Sequence, residues 1–457
     1  MRLYATIWII ICASIPSFAC FQPVQTAASA VQDANPSTKE LIAQLGHERF
    51  AERLKAMDGL ERLGHAILPQ LQELLNKPLD PEIRRRLEEI ITKLESEGAL
   101  QPTRLTMQVK DQKIREILEQ LSKLSGYKIE LWPQNNNDER EKRLFSFNLK
   151  DVTFWEALQQ VCEQGGLTYQ EGWYGNEVTT IRLMLGDSFP GYYYLDGPFR
   201  VVVRGFNYAR NLDLSGNQGQ GQGRGPIYAE GRSENLNMSM SVSVEPKMPL
   251  YSAGMPTITE AVDDQGQDLK PGQTANNVAM RQQYYYGYRG YMQNVNVTLN
   301  PSAQGKRLRS LKGTIPVTVI ALQRPKIVVN NLTEIKNQTF KAGTTNLVIE
   351  EVNKNGDQVT IKLNISETVN RGGNNANVDY SWVNTVMQRI EVQDDKGNKL
   401  QSMSTNWGMN NNTVQGSFTY RPAGGAANKA TVSKLIYYDW ITMSYNVPFS
   451  FQDLPLP

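Results

Sequence analysis

The sequence predicts a multi-domain α+β protein: a short helical module, a β-α-β/β-α-β domain, then two antiparallel β-sandwich-like domains. Three observations predict it. Apolar residues recur at three- and four-residue steps between Ser37 and Glu97. One segment near Asp111 is written twice, forty residues apart. From Gly186 onward the chain turns to Asn, Gln, Gly, Tyr and β-branched residues in alternating runs.

The chain has 457 residues, beyond the size at which a single core stops growing, so several domains are expected. With 48 basic and 46 acidic residues the net charge is +2. Nucleic acid demands a concentrated basic face, so no nucleic-acid partner is expected.

Residues 1–19 read as a signal peptide. Arg2 is the only charge before an apolar run from Ile7 to Ala13, which is too short to cross a bilayer core of ~30 Å. Ser17-Phe18-Ala19 and Ala28-Ser29-Ala30 both offer small-x-small cleavage sites. Cys20 is a candidate lipidation site and the only expected attachment to a membrane, although Ser17 stands where lipoprotein signals usually carry an aliphatic residue. Residues 20–36, rich in Gln, Ala, Ser and Pro, are expected to be a flexible linker. The expected location is therefore periplasmic or extracellular. Cys12 leaves with the signal and Cys20 leaves or is acylated, so Cys162 alone remains and no intrachain disulfide framework is expected.

The helical module spans 37–98. Leu41, Leu45, Leu54, Leu60, Leu63, Ile67, Leu71 and Leu74 carry its periodicity, with Gly46, Gly64 and the Pro78–Pro81 step as breaks, giving about four helices. Asp80 before Pro81 is a helix start, because Pro is tolerated in the first turn. The run resembles HEAT-like repeats over some sixty residues. Solenoids need three or more repeats, so a module rather than a scaffold is expected.

In the duplicated domain, 103–185, Val109-Lys110-Asp111, Ile114, Glu116, Leu118, Gln120 and Gly126 recur as Leu149-Lys150-Asp151, Phe154, Glu156, Leu158, Gln160 and Gly166. Each copy reads as a strand, an amphipathic helix, a Gly and a second strand, and the two are expected to share one sheet backed by two helices. Asp111 is a candidate cap for the first helix; Asp151 and Thr153 are candidates for the second. Gln134–Asp138 reads as a polar connecting loop.

The segments VKDQKIREILEQLSKLSGYKI and NLKDVTFWEALQQVCEQGGLTY resemble the short N-terminal (STN) domain shared by secretins and TonB-dependent receptors. Lys150, Asp151, Val152, Glu156, Ala157, Leu158 and Gly166 carry the resemblance; Gln112 and Ile117 depart from it in the first copy. It covers about eighty residues. It implies a domain for protein contacts in the periplasm with no catalytic residues, and the pore and barrel segments of secretins and receptors are missing.

The sandwich-like domains are expected at 187–325 and 326–457, with strands including Phe199–Phe206, Leu236–Val244, Val295–Leu299, Thr314–Leu322, Leu347–Val352, Gln358–Ile365 and Gln388–Val392. A second echo joins them: Glu260–Leu269 matches Glu391–Leu400, a strand-turn-strand in each. The ending VPFSFQDLPLP resembles that of uncharacterised secreted bacterial proteins, which implies no activity.

No residue pattern selects a catalytic or metal site. The two histidines, His47 and His65, sit at helical turns without evident partners. Cys162 lies on an apolar helix face, where a thiol is a small hydrophobe. Asp263-Asp264-x-Gly266 and Asp394-Asp395-x-Gly397 could contribute oxygens to calcium, but their strand flanks fit hairpin turns better. Gln218–Gly225 lacks the Lys-Ser/Thr ending of a phosphate loop. The candidate binding surface is the cluster Tyr284, Tyr285, Tyr286, Tyr288, Arg289 and Tyr291, because Tyr and Arg are enriched in recognition surfaces. The expected function is non-catalytic binding of an envelope or secreted protein, with no cofactor. The alternative is a carbohydrate-binding protein or carbohydrate-active enzyme acting through a sandwich face.

Overall fold

The structure, a computed structural model, describes residues 38–132, 139–170, 180–186, 191–212, 232–271, 290–302, 304–367, 383–410, 413–422 and 431–457. It is an α+β protein, mostly antiparallel sheet with few helices. The chain divides after Arg62 into two units, a point inside the predicted 37–98 module. The first holds α1 (Thr38–Gln44) and nearly all of α2 (Phe50–Leu63). Leu41, Leu45, Ala56 and Leu60 are its buried residues, and a Cβ at Gly59 would come within 2.9 Å of Leu41.

The second unit begins with α3 (Leu68–Leu75) and α4 (Pro81–Ala99). Asp80 caps α4, its carboxylate accepting from the Glu82 amide at 2.8 Å, and Pro81 occupies the first position, where its missing N–H costs nothing. Leu87, Ile90, Ile91 and Leu94 make the buried face of α4.

The duplicated domain contains β1 (Arg104–Lys113), α5 (Ile114–Ser125), β2 (Ile129–Trp132), β3 (Leu144–Thr153), α6 (Phe154–Gly165), β4 (Leu167–Tyr169) and β5 (Ile181–Leu185). The expected single sheet is two. β1 pairs antiparallel with β3, while β2, β5 and β4 form a separate three-stranded sheet in which β2 runs parallel to β5. The reason lies in the duplication. Equivalent first strands pair with each other about a local twofold at Gln108↔Asn148, residues forty apart, which leaves the second strands to build their own sheet with β5 between them. One core nevertheless serves both sheets: Ile114, Ile117, Leu118 and Leu121 of α5 join Phe154, Ala157, Leu158 and Val161 of α6.

The repeated Lys-Asp step is a bulge. Asp111 (φ 51°) and Asp151 (φ 48°) are both left-handed, a conformation Asp tolerates better than most residues. The freed amides are collected symmetrically: Asp111 donates to Ser146 Oγ and Asp151 to Thr106 Oγ1, each at 3.0 Å. Asp111 and Asp151 therefore do not cap the helices. Thr153 caps α6, with Glu156 reaching back to the Thr153 amide at 2.8 Å; in the first copy Glu116 accepts from the Lys113 amide at 3.3 Å. Both helices stop at glycines in the left-handed region, Gly126 and Gly166.

Next come β6 (Tyr193–Asp196), β7 (Phe199–Leu212), β8 (Arg232–Val244), β9 (Leu250–Ala253), β10 (Thr257–Asp263), β11 (Met292–Leu299) and β12 (Arg307–Val329). After them come β13 (Gln338–Ala342), β14 (Thr345–Asn355), β15 (Gln358–Glu367), β16 (Ile390–Asp394), β17 (Gln401–Asn410), β18 (Thr413–Arg421) and β19 (Val432–Pro455). One four-stranded sheet runs β11-β8-β7-β6 and one five-stranded sheet runs β13-β14-β15-β18-β17. A third, β10-β12-β19-β16 with β9 beside β12, supplies residues to the cores of both sandwiches.

The expected boundary at 325/326 falls inside β12. β12 and β19 pair from Arg307↔Pro455 to Val329↔Leu435, so each long strand serves both cores. Val447, Phe449, Phe451 and Leu454 of β19 are buried in the first, with Leu308, Leu311, Ile315 and Val317 of β12. Ile327 and Val329 of β12 are buried in the second, with Leu435 and Tyr437 of β19. The strand order β6, β7, β8, β11 is mirrored by β13, β14, β15, β18. The two halves meet about a second local twofold at Val319↔Met443. Gly313 permits the close approach of β10: a Cβ there would lie 2.3 Å from the Thr257 carbonyl and 2.6 Å from the Phe449 ring.

The sequence echo is the same turn built twice. Asp263 Oδ1 accepts from the amides of Gln265 (2.9 Å) and Gln267 (2.7 Å); Asp394 Oδ1 accepts from those of Lys396 (2.9 Å) and Asn398 (2.7 Å). Gly266 and Gly397 take φ of 84° and 81°, and the Asp264 and Asp395 amides donate to the starts of the long strands, at Arg307 and Thr431.

Two outcomes follow from this architecture. Phe449→Ala, although it lies near the far end of the chain, lowers the stability of the first sandwich by about 3–5 kcal/mol in urea denaturation. The Asn398 side-chain amide and backbone donors hold the Asp394 carboxyl below its ordinary value. The stabilisation it gives is complete above the unfolded carboxyl value of about 3.9 and disappears as pH falls through the lower folded value. Asp394→Ala should therefore lower the urea midpoint at neutral pH, with the gap to the parent chain closing in acid.

Candidate docking surface and the buried junction behind it

Alternation along β2 and β5 sorts their side chains. Ile129 and Leu131, like Ile181 and Leu183, point into the core of the duplicated domain. Glu130, Trp132, Arg182 and Met184 take the opposite face. The parallel register sets Glu130 beside Arg182 and Trp132 beside Met184. Glu130 is neutralised there by Arg182 at 3.3 Å and Lys128 at 3.0 Å. Trp132 and Met184 remain 41% and 36% exposed. The sheet thus presents a large aromatic and a thioether side by side, bordered by Glu130 and its two cationic partners. Such a patch suits an apolar side chain of a partner, with the charges setting orientation.

Behind this sheet the domain is fixed to the first sandwich through a buried carboxylate. Glu245, at the end of β8, is fully buried and accepts from the Thr103 amide (2.9 Å), Thr103 Oγ1 (2.5 Å) and the Tyr127 hydroxyl (2.6 Å). Lys247 Nζ lies 3.3 Å from it and also donates to the Gln101 carbonyl at 2.5 Å. Burial, followed by the charge of Glu245, pushes the Tyr127 phenol far above its ordinary range, so it stays a donor at any physiological pH. Trp155 Nε1 and the Glu245 amide both donate to the Pro198 carbonyl, at 2.8 and 3.0 Å.

An aromatic seam continues the junction. Phe154 lies edge-on to Tyr127 with centroids 4.8 Å apart, and Trp155 approaches Tyr169 and Tyr291 at 6.5 Å each. The Arg200 guanidinium sits 4.2 Å above the Tyr169 ring, and its buried Nε has no hydrogen-bond partner among the described residues. Burial pushes the Cys162 thiol up to about 12 despite the charge of Arg200 nearby. Cys162 is thus a buried, protonated packing residue.

Of the predicted binding cluster, Tyr291 alone is among the described residues. Tyr284, Tyr285, Tyr286, Tyr288 and Arg289 lie outside the described residues, as do Cys20, the predicted leader at 1–19 and Gln218–Gly225. Tyr291 is described and faces inward: it packs on Trp155, its carbonyl accepts from the Val244 amide at 2.7 Å, and burial lifts its phenol to about 12. It joins the domains instead of offering an exposed contact. His47 Nδ1 accepts from the Arg49 amide at 3.0 Å in an exposed turn, and His65 occupies the space beside Gly98. The Asp263 and Asp394 carboxylates are engaged by their own turns, and no group of three metal-ligating side chains occurs among the described residues.

Sequence reasoning missed Trp132 and Met184, although alternation carried the signal: each follows an apolar-charged-apolar run that puts it on the polar face. Glu245 had no such signal, because its partners lie more than a hundred residues away.

Scans of the chain against family models, curated proteins and solved structures find no match.

The junction makes a quantitative prediction. Glu245→Ala leaves several buried donors without an acceptor and costs about 3 kcal/mol, whereas Tyr127→Phe costs about 1–2 kcal/mol. A double-mutant cycle by chemical denaturation should give a coupling above about 0.5 kcal/mol, because the second change finds the bond already broken.

Proposed function

We propose that this chain is a non-catalytic, exported binding protein that docks to an envelope or secreted protein through the outer face of its duplicated domain. The observation that carries the proposal is the pairing of exposed Trp132 and Met184 beside the Glu130–Arg182 ion pair. The STN-like pattern at Lys150-Asp151-Val152 and Glu156-Ala157-Leu158 supports the same reading, since that resemblance implies protein contact. The leader at 1–19, with Cys20 as a candidate anchor, supports an extracytoplasmic location. The rigid junction through Glu245 fits a docking role: a contact surface held on a fixed base loses less entropy on binding.

The proposal is tested by a photo-cross-linking residue placed at Glu130 in the native envelope. A discrete partner should be captured, and Trp132→Ala with Met184→Ala should weaken binding of that purified partner at least about 30-fold, some 2 kcal/mol at a central contact. Recovery of the chain alone, or unchanged affinity in the double variant, would remove the basis for docking through this face.

Carbohydrate binding is the second reading, favoured by Trp407, 40% exposed on β17 between Asn406 and Gly408. An exposed indole ring can stack on the apolar face of a sugar. Retention of the chain on an insoluble polysaccharide, lost in Trp407→Ala, would select it.

A further inference from the structure

β17 closes the β13-β14-β15-β18-β17 sheet, with β18 on one side and no described strand on the other. Its sequence, Gln401 to Asn410, contains no charge and no proline. Soluble proteins normally protect such an edge with one or the other, because the free N–H and C=O groups otherwise recruit another strand. The opposite edge, β13, follows that rule with Lys341 and the preceding Lys336. β17 also has no counterpart in the matching β11-β8-β7-β6 sheet.

The side-chain pattern narrows what the edge accepts. Thr405 stands opposite Phe418, Trp407 opposite Gly416 and Met409 opposite Val414. Opposed residues share a sheet face, so Trp407 and Met409 extend the face on which Val414 and Phe418 are buried. Yet Trp407 and Met409 are 40% and 47% exposed. β11 is also an uncharged edge strand, but its core-side residues Val295, Val297 and Leu299 are all buried. At β17 the core of the second sandwich continues past the strands that cover it.

We propose that β17 pairs antiparallel with β17 of a second copy of this chain, joining two five-stranded sheets into one about a twofold axis at Asn406. Self-pairing suits this strand for two reasons. An uncharged edge meets its own copy without like-charge repulsion, which a charged partner patch would not require of it. An isologous contact also brings both copies' Trp407 and Met409 together on one face, so the uncovered apolar surface of each is buried by the other. Backbone pairing supplies affinity and the alternating side chains supply register.

The test uses the full chain in sedimentation equilibrium. Dimer is expected, with dissociation in the micromolar range typical of a small interface. Thr405→Lys and Thr405→Glu, at an exposed position, should each weaken the dimer at least tenfold by opposing like charges, while keeping the parent melting temperature. An equimolar mixture of the two should dimerise again, an outcome that a merely structural effect of either substitution would not produce. Should either variant fold poorly, Asn406→Cys offers a second route: oxidation should give a disulfide-linked dimer on a non-reducing gel. A monomeric parent chain, charged variants that dimerise as the parent does, or no cross-link at Asn406→Cys would each overturn the proposal. A monomer that binds polysaccharide through Trp407 would assign this edge to sugar instead.

Discussion

The pairing of β12 with β19 is the constraint on which the rest of the large unit depends. Two strands of 23 and 24 residues run antiparallel, and each passes from one sandwich core into the other. Neither core is complete without the strand that arrives from the other half. Pro316 and Pro325 lie within β12, where a proline removes a donor; Pro325 stands at a register shift of the ribbon, whereas Pro316 keeps its place opposite Asn446. The ribbon also receives α4: Arg324 donates to Glu95 at 2.6 Å and to Thr92 at 3.0 Å, on the side of β12.

The chain solves the same problem twice. In the duplicated domain two β-α copies pair their first strands about Gln108↔Asn148; in the sandwiches two halves pair their long strands about Val319↔Met443. Twofold pairing of repeats has a simple physical basis. A strand that leaves one apolar face and one hydrogen-bonding edge uncovered is best covered by its own duplicate, which has the matching face and edge. The two solutions are then tied through Glu245, a carboxylate that is tolerable in the interior only because hydrogen-bond donors and Lys247 surround it.

The candidate contact residues lie at the margins of the sheets. Trp132 and Met184 project from a sheet whose other face is core, and Trp407 and Met409 project from an edge where the core runs out. The Arg200–Tyr169–Cys162 cluster, chemically richer by residue type, is sealed within the junction, its thiol held protonated. Residue identity alone would have ranked these groups in the opposite order.

Much of the local structure was determined by the sequence by itself. The helices between Thr38 and Ala99, the cap at Asp80, the two glycine stops and the paired Asp turns rest on interactions spanning a few residues, so short-range pattern suffices to find them. Cys162 as a buried hydrophobe was legible for the same reason. Tertiary structure alone decided the rest. The split of the duplicated domain into two sheets, the passage of β12 through 325/326, the return of Phe449 to the first sandwich and the inward turn of Tyr291 all depend on which distant strand supplies a partner. A strand's alternation fixes which of its faces is apolar, but the neighbour that covers that face, or leaves it open as at Trp407, is set only when the chain has folded.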